Sequence, residues 1–183
     1  LGGEDPYSAS KAGAEIIFHS YVKSFSINDK KIKFASARAG NVLGGGDMRK
    51  NGIVSDIIRS IMLNKKLTIR NPNSTRPWQH VLEAISGYLI LGHLLIKNKL
   101  KKSYYPSWNF GPKTLKNKTV LELTKQFLLY WGVKKKFNFL SIKKFKESKL
   151  LILDSSKAKK ELKWQSKLNF KETLLMTLQW YKS

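Results

Sequence analysis

The chain has no cysteine and three histidines, His19, His80 and His93, among 183 residues. Without cysteine neither a disulfide framework nor a thiolate metal site can be built, and three imidazoles so widely spaced do not match a zinc site. No metal is expected. No apolar run reaches the roughly 18 residues a spanning helix needs, and the first residues lack the charged-then-apolar order of a secretory signal. A cytoplasmic protein with no membrane partner is therefore expected. Arginine is scarce as well: of 35 basic residues five are Arg38, Arg49, Arg59, Arg70 and Arg76, and 30 are lysine. Base reading and two-pronged phosphate contacts lean on the guanidinium fork. The net charge of +23 thus reads as lysine spread over solvated faces, as at 97–102, 134–136 and 143–149, and nucleic acid is not an expected partner. A basic nucleic-acid-binding module remains the rival from another class, and it predicts binding that weakens steeply with salt.

What is present is a globular composition, 42% hydrophobic with five Trp, seven Tyr and nine Phe. Asp5 before Pro6 is a helix start, since the carboxylate caps free N–H groups and proline at the first helical position forfeits nothing. Apolar residues at Ala14, Ile17, Phe18, Tyr21, Val22 and Phe25 extend that helix to about residue 25. "KIKFASARAG" (31–40) alternates around Ile32 and Phe34 and reads as a strand running into a glycine turn, "GNVLGGGD". Helix is expected again over about 51–63, 81–96 and 119–132, the last ended by Gly132, with short strands at 67–69 and 107–111 and a proline-rich loop at 70–78. "FNFLSI" and "LLILD" are further strand candidates. Asp154 caps a short helix to about 162, and Asn169 with Glu172 makes a capping-box start for the final helix. Alternating helices and strands define an α/β class. So few central strands, and a chain that opens on a helix start, lead us to expect the C-terminal part of a longer sequence.

Tyr7 and Lys11 share a helix face at four-residue spacing. A neighbouring ammonium favours a phenolate, the form a general base requires. Tyr-x-x-x-Lys also occurs by chance in many helices. Here the flanks are small ("SAS" between, "AGAE" after), which opens the face to a bulky planar ligand.

"DPYSASKAGAE" resembles the active-site helix of the extended short-chain dehydrogenase/reductase family. "ARAGNVLGGGD" (37–47), "IRNPNSTRPWQHVLEAISGYL" (69–89) and "WNFGP" (108–112) are similar, in order and spacing, to landmarks of its CDP-glucose 4,6-dehydratase branch. The resemblance runs on through "LDSSKAKKELKW" and "TLLMTLQWYK". It implies the C-terminal portion of an NAD(P)-binding Rossmann-like fold plus a smaller α/β substrate-binding domain. Residues 1–48 and 80–112 would belong to the Rossmann part, and 49–79 and 113–183 to the substrate side. It implies NAD as cofactor and a three-step reaction: oxidation at sugar C4, loss of water across C5 and C6, and return of the same hydride to C6. Tyr7 would handle the hydroxyl proton, Lys11 would hold the nicotinamide ribose, and Arg38 would lie on the cofactor side. Asn41 and Arg76 would contact the nucleotide diphosphate, with Arg70 and Asn109 in the nucleotide pocket. Plainer readings stay open: Asn41 as a turn residue, Arg76 as a loop arginine stacked on Trp78. His80 is expected to cap or pack against the following helix rather than act as a catalyst, and "GGGD" (44–47), outside a G-x-G-x-x-G unit, to be a flexible substrate-side loop.

There are departures. Gly52 and Ser55 stand where the family pattern has an arginine and a proline. The glycine-rich dinucleotide loop and the dehydration acid and base would lie before Leu1, so the chain alone is expected to be inactive. A nucleotide-sugar epimerase with the same Tyr and Lys is the close alternative, and a homodimer through the first helix is implied for the full-length protein.

Overall fold

The computed structural model describes residues 5–26, 32–100, 106–114, 117–134, 137–140 and 151–183. Helix α1 (Pro6–Tyr21) starts as its cap dictates: one Asp5 oxygen accepts from the N–H groups of Tyr7 (3.0 Å) and Ser8 (3.1 Å). A π-helical turn, Val22–Ser26, continues it. None of the sixteen α1 side chains is buried, and the expected apolar stripe splits. Val22 turns inward, whereas Ile17, Tyr21 and Phe25 face outward.

Strand β1 (Ser36–Ala39) and strand β2 (Asn41–Leu43) are joined by Gly40 alone. The strand thus begins later than expected, and Ile32 lies outside it with 43% exposure. "NVL", assigned to the turn, is strand. The reason is partner exchange. β1 pairs in parallel with β6 (Ser107–Phe110), in the register Ser36 with Ser107 through Ala39 with Phe110. β2 pairs in parallel with β5 (Trp78–His80), Asn41 opposite Trp78. At the junction Gly40 N donates to Phe110 O (3.1 Å) and Asn41 N to Pro77 O (2.9 Å). A Cβ at Gly40 would stand 2.4 Å from Pro77 O, so the two partners come this close only because the residue is glycine.

A first core unites α2 (Ile53–Met62), β3 (Leu67–Arg70), α4 (Val120–Trp131) and α5 (Phe170–Lys182) with the β2–β5 pair. Ile57, Ile69, Leu123, Phe127 and Leu174 are fully enclosed there. Each contributes on the order of 1.5–3 kcal/mol by leaving water. β3 pairs in parallel with β8 (Phe137–Leu140), and the short β4 (Thr75–Arg76) pairs antiparallel with β7 (Lys118–Thr119). Both α4 and α5 open on full capping boxes, Thr119 with Glu122 and Asn169 with Glu172. The second is the start expected from the sequence; the first has the same spacing, in "TVLE". A second core joins α3 (Val81–Ile96), β6 and the π-helical turn Ala158–Leu162 through Leu91, Trp108, Phe110, Leu162 and Trp164. Buried Glu83 ties it to the first core by accepting from Lys167 N (2.9 Å) and Leu168 N (2.8 Å), just before α5. Residues 151–154 of the "LLILD" candidate form no strand. Asp154 instead accepts from Ser156 N (2.8 Å), a local turn ahead of the π-helical stretch, whose N-cap is Lys157 and carries no side-chain cap.

Candidate functional site

Tyr7 and Lys11 occupy the first turns of α1, where the Asp5 cap sets the helix in register. The Lys11 ammonium lies 5.6 Å from the centre of the Tyr7 ring, and Tyr7 is 71% exposed. Between them Ser8 and Ser10 fold back on Asp5 and on the Tyr7 carbonyl, clearing the face. Gly13 beyond has nothing within 4 Å of a hypothetical Cβ. A phenol and an ammonium on an open face of small residues fit the ribose end of a dinucleotide, to which both can hydrogen-bond.

Arg38, on β1, is engaged by protein. Its Nε donates to Glu15 Oε1 (2.8 Å), its Nη2 to Glu15 Oε2 (2.5 Å) and its Nη1 to Asn109 Oδ1 (3.3 Å). Asn109, on β6, passes its own Nδ2 to Asp154 O (3.0 Å). The fold therefore brings Arg38 and Asn109 together, and joins both to the helix of Tyr7 and Lys11 through Glu15. Glu15 was missed at the sequence level, where "AGAE" was read only for its small residues. Its four-residue spacing from Lys11 was the available signal. Its carboxyl is held below the ordinary carboxylate range, chiefly by the hydrogen bonds from Arg38, and the Arg38 guanidinium is pushed up by the same pair.

Arg76 lines a cleft of about 600 Å³ with Trp78, Lys113, Thr114, Asn117 and Lys118, closed off by Leu168, Asn169 and Phe170. The segments "NSTRPW" and "GPKT" meet here because β4 pairs with β7 and the Trp78 indole donates to Lys118 O (2.9 Å). Arg76 and Lys113 give this concavity a cationic lining that suits an anionic ligand, while Lys118 is paired there with Glu122 (2.8 Å). Asn41, half-buried, opens β2 opposite Trp78 on the strand that leads from the β1–β6 pair toward this region. Arg70 does not line the cleft. Its Nη2 donates to Asn51 O (3.2 Å) and lies 3.8 Å from Asp56, which also holds Arg59. His80 caps α3 as predicted, its Nδ1 accepting from Leu82 N (3.3 Å), and burial lowers its pKa.

The loop expected to be flexible is tied down. The Tyr181 hydroxyl accepts from Asp47 N (3.0 Å) and donates to Asp47 O (3.1 Å). A Cβ at Gly45 would sit 2.1 Å from the Trp180 ring, so the glycine admits α5 against the loop. Among the described residues no group of three His, Asp or Glu side chains is assembled for a metal, and no helix is long and apolar enough to cross a membrane.

Parallel strand pairs flanked by helices, with a Tyr–Lys pair opening the helix that precedes β1, define a Rossmann-like α/β protein. The chain belongs to the GDP-mannose 4,6 dehydratase family, whose model matches residues 1–177. It is 38% identical over its whole length to a CDP-glucose 4,6-dehydratase of Salmonella typhimurium, covering 52% of that relative. Among solved structures it resembles a dTDP-glucose 4,6-dehydratase of Bacillus anthracis in complex with NAD (TM-score 0.79, 24% identity, 100% of this chain and 53% of that one). It also resembles a UDP-glucuronic acid 4-epimerase of Bacillus cereus in complex with UDP-glucuronic acid and NAD (TM-score 0.78, 23% identity, 97% and 52%). The chain spans about half the length of each of these proteins.

Proposed function

We propose that the protein containing this chain is a sugar-nucleotide 4,6-dehydratase that converts CDP-glucose to its 4-keto-6-deoxy form in the cytoplasm. The observation that carries this reading is the exposed Tyr7–Lys11 pair on an open helix face, in a chain 38% identical throughout to a CDP-glucose 4,6-dehydratase. NAD, when bound, supplies the hydride acceptor and donor. Tyr7 stands to take the proton of the sugar hydroxyl at C4, because a carbon cannot give up hydride to become a ketone unless its hydroxyl proton leaves too. Lys11 offers its ammonium to ribose hydroxyls. The ketone then acidifies the C5 hydrogen, which makes loss of water feasible. Arg76, with Lys113 beside it, receives the diphosphate, and Asn41 contacts it from β2. Arg38 and Asn109 serve the cofactor and nucleotide sides by holding α1 through Glu15, and Arg70, held on Asn51 and Asp56, stays outside the cleft. Residues 49–79 and 113–183 form the substrate-binding domain, and 1–48 with 80–112 the Rossmann part. The outward Ile16, Ile17, Tyr21 and Phe25 of α1 and its turn make a dimer face in the full-length protein.

The test is direct. The full reading frame that contains this chain is incubated with NAD and, separately, CDP-glucose, dTDP-glucose and GDP-mannose, and products are weighed by mass spectrometry. Loss of one water from CDP-glucose alone, abolished by Tyr7→Phe, is expected. An isomerised product of unchanged mass favours an epimerase, a reading supported by the likeness to the epimerase fold. Salt-sensitive binding of nucleic acid with no turnover of any sugar nucleotide would sink both.

A further inference from the structure

Helix α1 carries the reactive pair yet buries none of its side chains. Among the described residues, what fastens it to the β1–β6 pair is a set of polar bonds. Tyr7, Lys11 and Glu15 follow one another at four-residue spacing on one side of α1. The third uses both carboxylate oxygens: Oε1 accepts from Arg38 Nε (2.8 Å) and Ser36 Oγ (3.1 Å), and Oε2 from Arg38 Nη2 (2.5 Å). Two oxygens held by three donors on one strand leave little freedom to swing. Arg38 is fixed in turn by Asn109 on β6 (3.3 Å), and Asn109 by the carbonyl of Asp154 (3.0 Å). The Glu15 side chain is 17% exposed, so this pair is partly shielded from solvent, unlike a freely solvated ion pair.

We propose that Glu15 is a positioning residue: its forked ion pair with Arg38 sets the rotation of α1 against the β1–β6 pair, and so the direction in which Tyr7 and Lys11 meet their ligands. The inference rests on the reading of Tyr7 and Lys11 as the reactive pair. The geometry makes rate sensitive to the clamp. Side-chain groups lie about 5–6 Å from a helix axis, so a rotation of about 10° moves them by about 1 Å. A displacement of about 1 Å in a reacting group can cost about a hundredfold in rate. Arg38 and Asn109 then act on the ligand through α1, by placing Tyr7 and Lys11, and the polar chain Glu15–Arg38–Asn109–Asp154 is the frame on which the active helix is hung.

The experiment uses the full reading frame containing this chain, as wild type, Glu15→Gln, Arg38→Lys and the charge swap Glu15→Arg with Arg38→Glu. Two readouts are taken: amide hydrogen exchange without ligand, and kcat and KM for CDP-glucose with NAD. Each single variant is expected to speed exchange in α1 by about tenfold while α4 and α5 keep their protection. The same variants should lower kcat by about 10–100-fold with KM within about threefold, and the swap should recover most of both losses. Unchanged α1 exchange in Glu15→Gln overturns the proposal, as does a rise in KM at constant kcat, which would mean that Arg38 touches ligand directly. Equal loosening of α1, α4 and α5 reduces Glu15 to a general brace and also overturns it. Should the wild type turn over no sugar nucleotide, the dehydratase reading falls, while exchange in α1 still decides whether the clamp exists.

Discussion

At the scale of single residues, exposure decides which substitutions report on chemistry. Tyr7 is 71% exposed and touches no core, so Tyr7→Phe should leave the fold intact. On the proposed role it should lower kcat by about 10²–10⁴-fold, the range of a lost general acid–base group. Paired circular dichroism and turnover measurements check both halves of that statement. His80 makes the opposite case, since it is buried and acts as a cap. Its pKa is lowered first by burial, which Glu83 partly opposes. The unfolded chain therefore binds a proton that the folded one refuses, and stability rises with pH through this window. As pH falls below the ordinary histidine value of 6.5, the fold should lose stability, the loss levelling off below the depressed folded value. His80→Asn keeps a capping side chain without a titratable ring. Thermal melts between pH 7.5 and 5 are expected to show a flatter acid limb for this variant than for wild type.

At the scale of elements, local rules read well wherever an element's reasons are local. Asp5, Asn169 and Gly132 announced helix ends in the sequence, because a cap acts within about one turn. Thr119 belongs with them, and Thr119→Ala should cost about 1 kcal/mol in urea unfolding. Strands read poorly for a stated cause. Alternation at Ile32 and Phe34 suggested a strand that the fold begins only at Ser36, because β1 forms where β6 lies beside it. "NVL" became strand because β5 took over where β6 ended. Gly40 at that exchange is the position most sensitive to size. Gly40→Ala drives a methyl to 2.4 Å from Pro77 O and must pry β5 from β2, an overpacking expected to cost about 1–3 kcal/mol. A shift of the urea midpoint at constant slope measures it.

At the scale of the molecule, two cores meet across buried Glu83, and each is assembled from distant segments. Phe127, fully enclosed between α2, α4 and α5, should cost about 3–5 kcal/mol as Phe127→Ala, in thermal or denaturant unfolding. The cationic cleft exists only in this assembly, since Arg76 and Lys118 come together through the β4–β7 pair.

The main helices, the caps at Asp5, Asn169 and Gly132, the α/β class, the Tyr7–Lys11 spacing and the family resemblance were legible in the linear chain. Each depends on residues within a few positions of one another or on a run of motifs in order. The clamp on α1, the tie between Tyr181 and Asp47, and the partner exchange at Gly40 were not. Glu15 finds Arg38 across 23 residues, Arg38 finds Asn109 across 71, and Tyr181 finds Asp47 across 134. No periodicity encodes such pairs, because they are chosen by which strands lie side by side and which helix ends reach them.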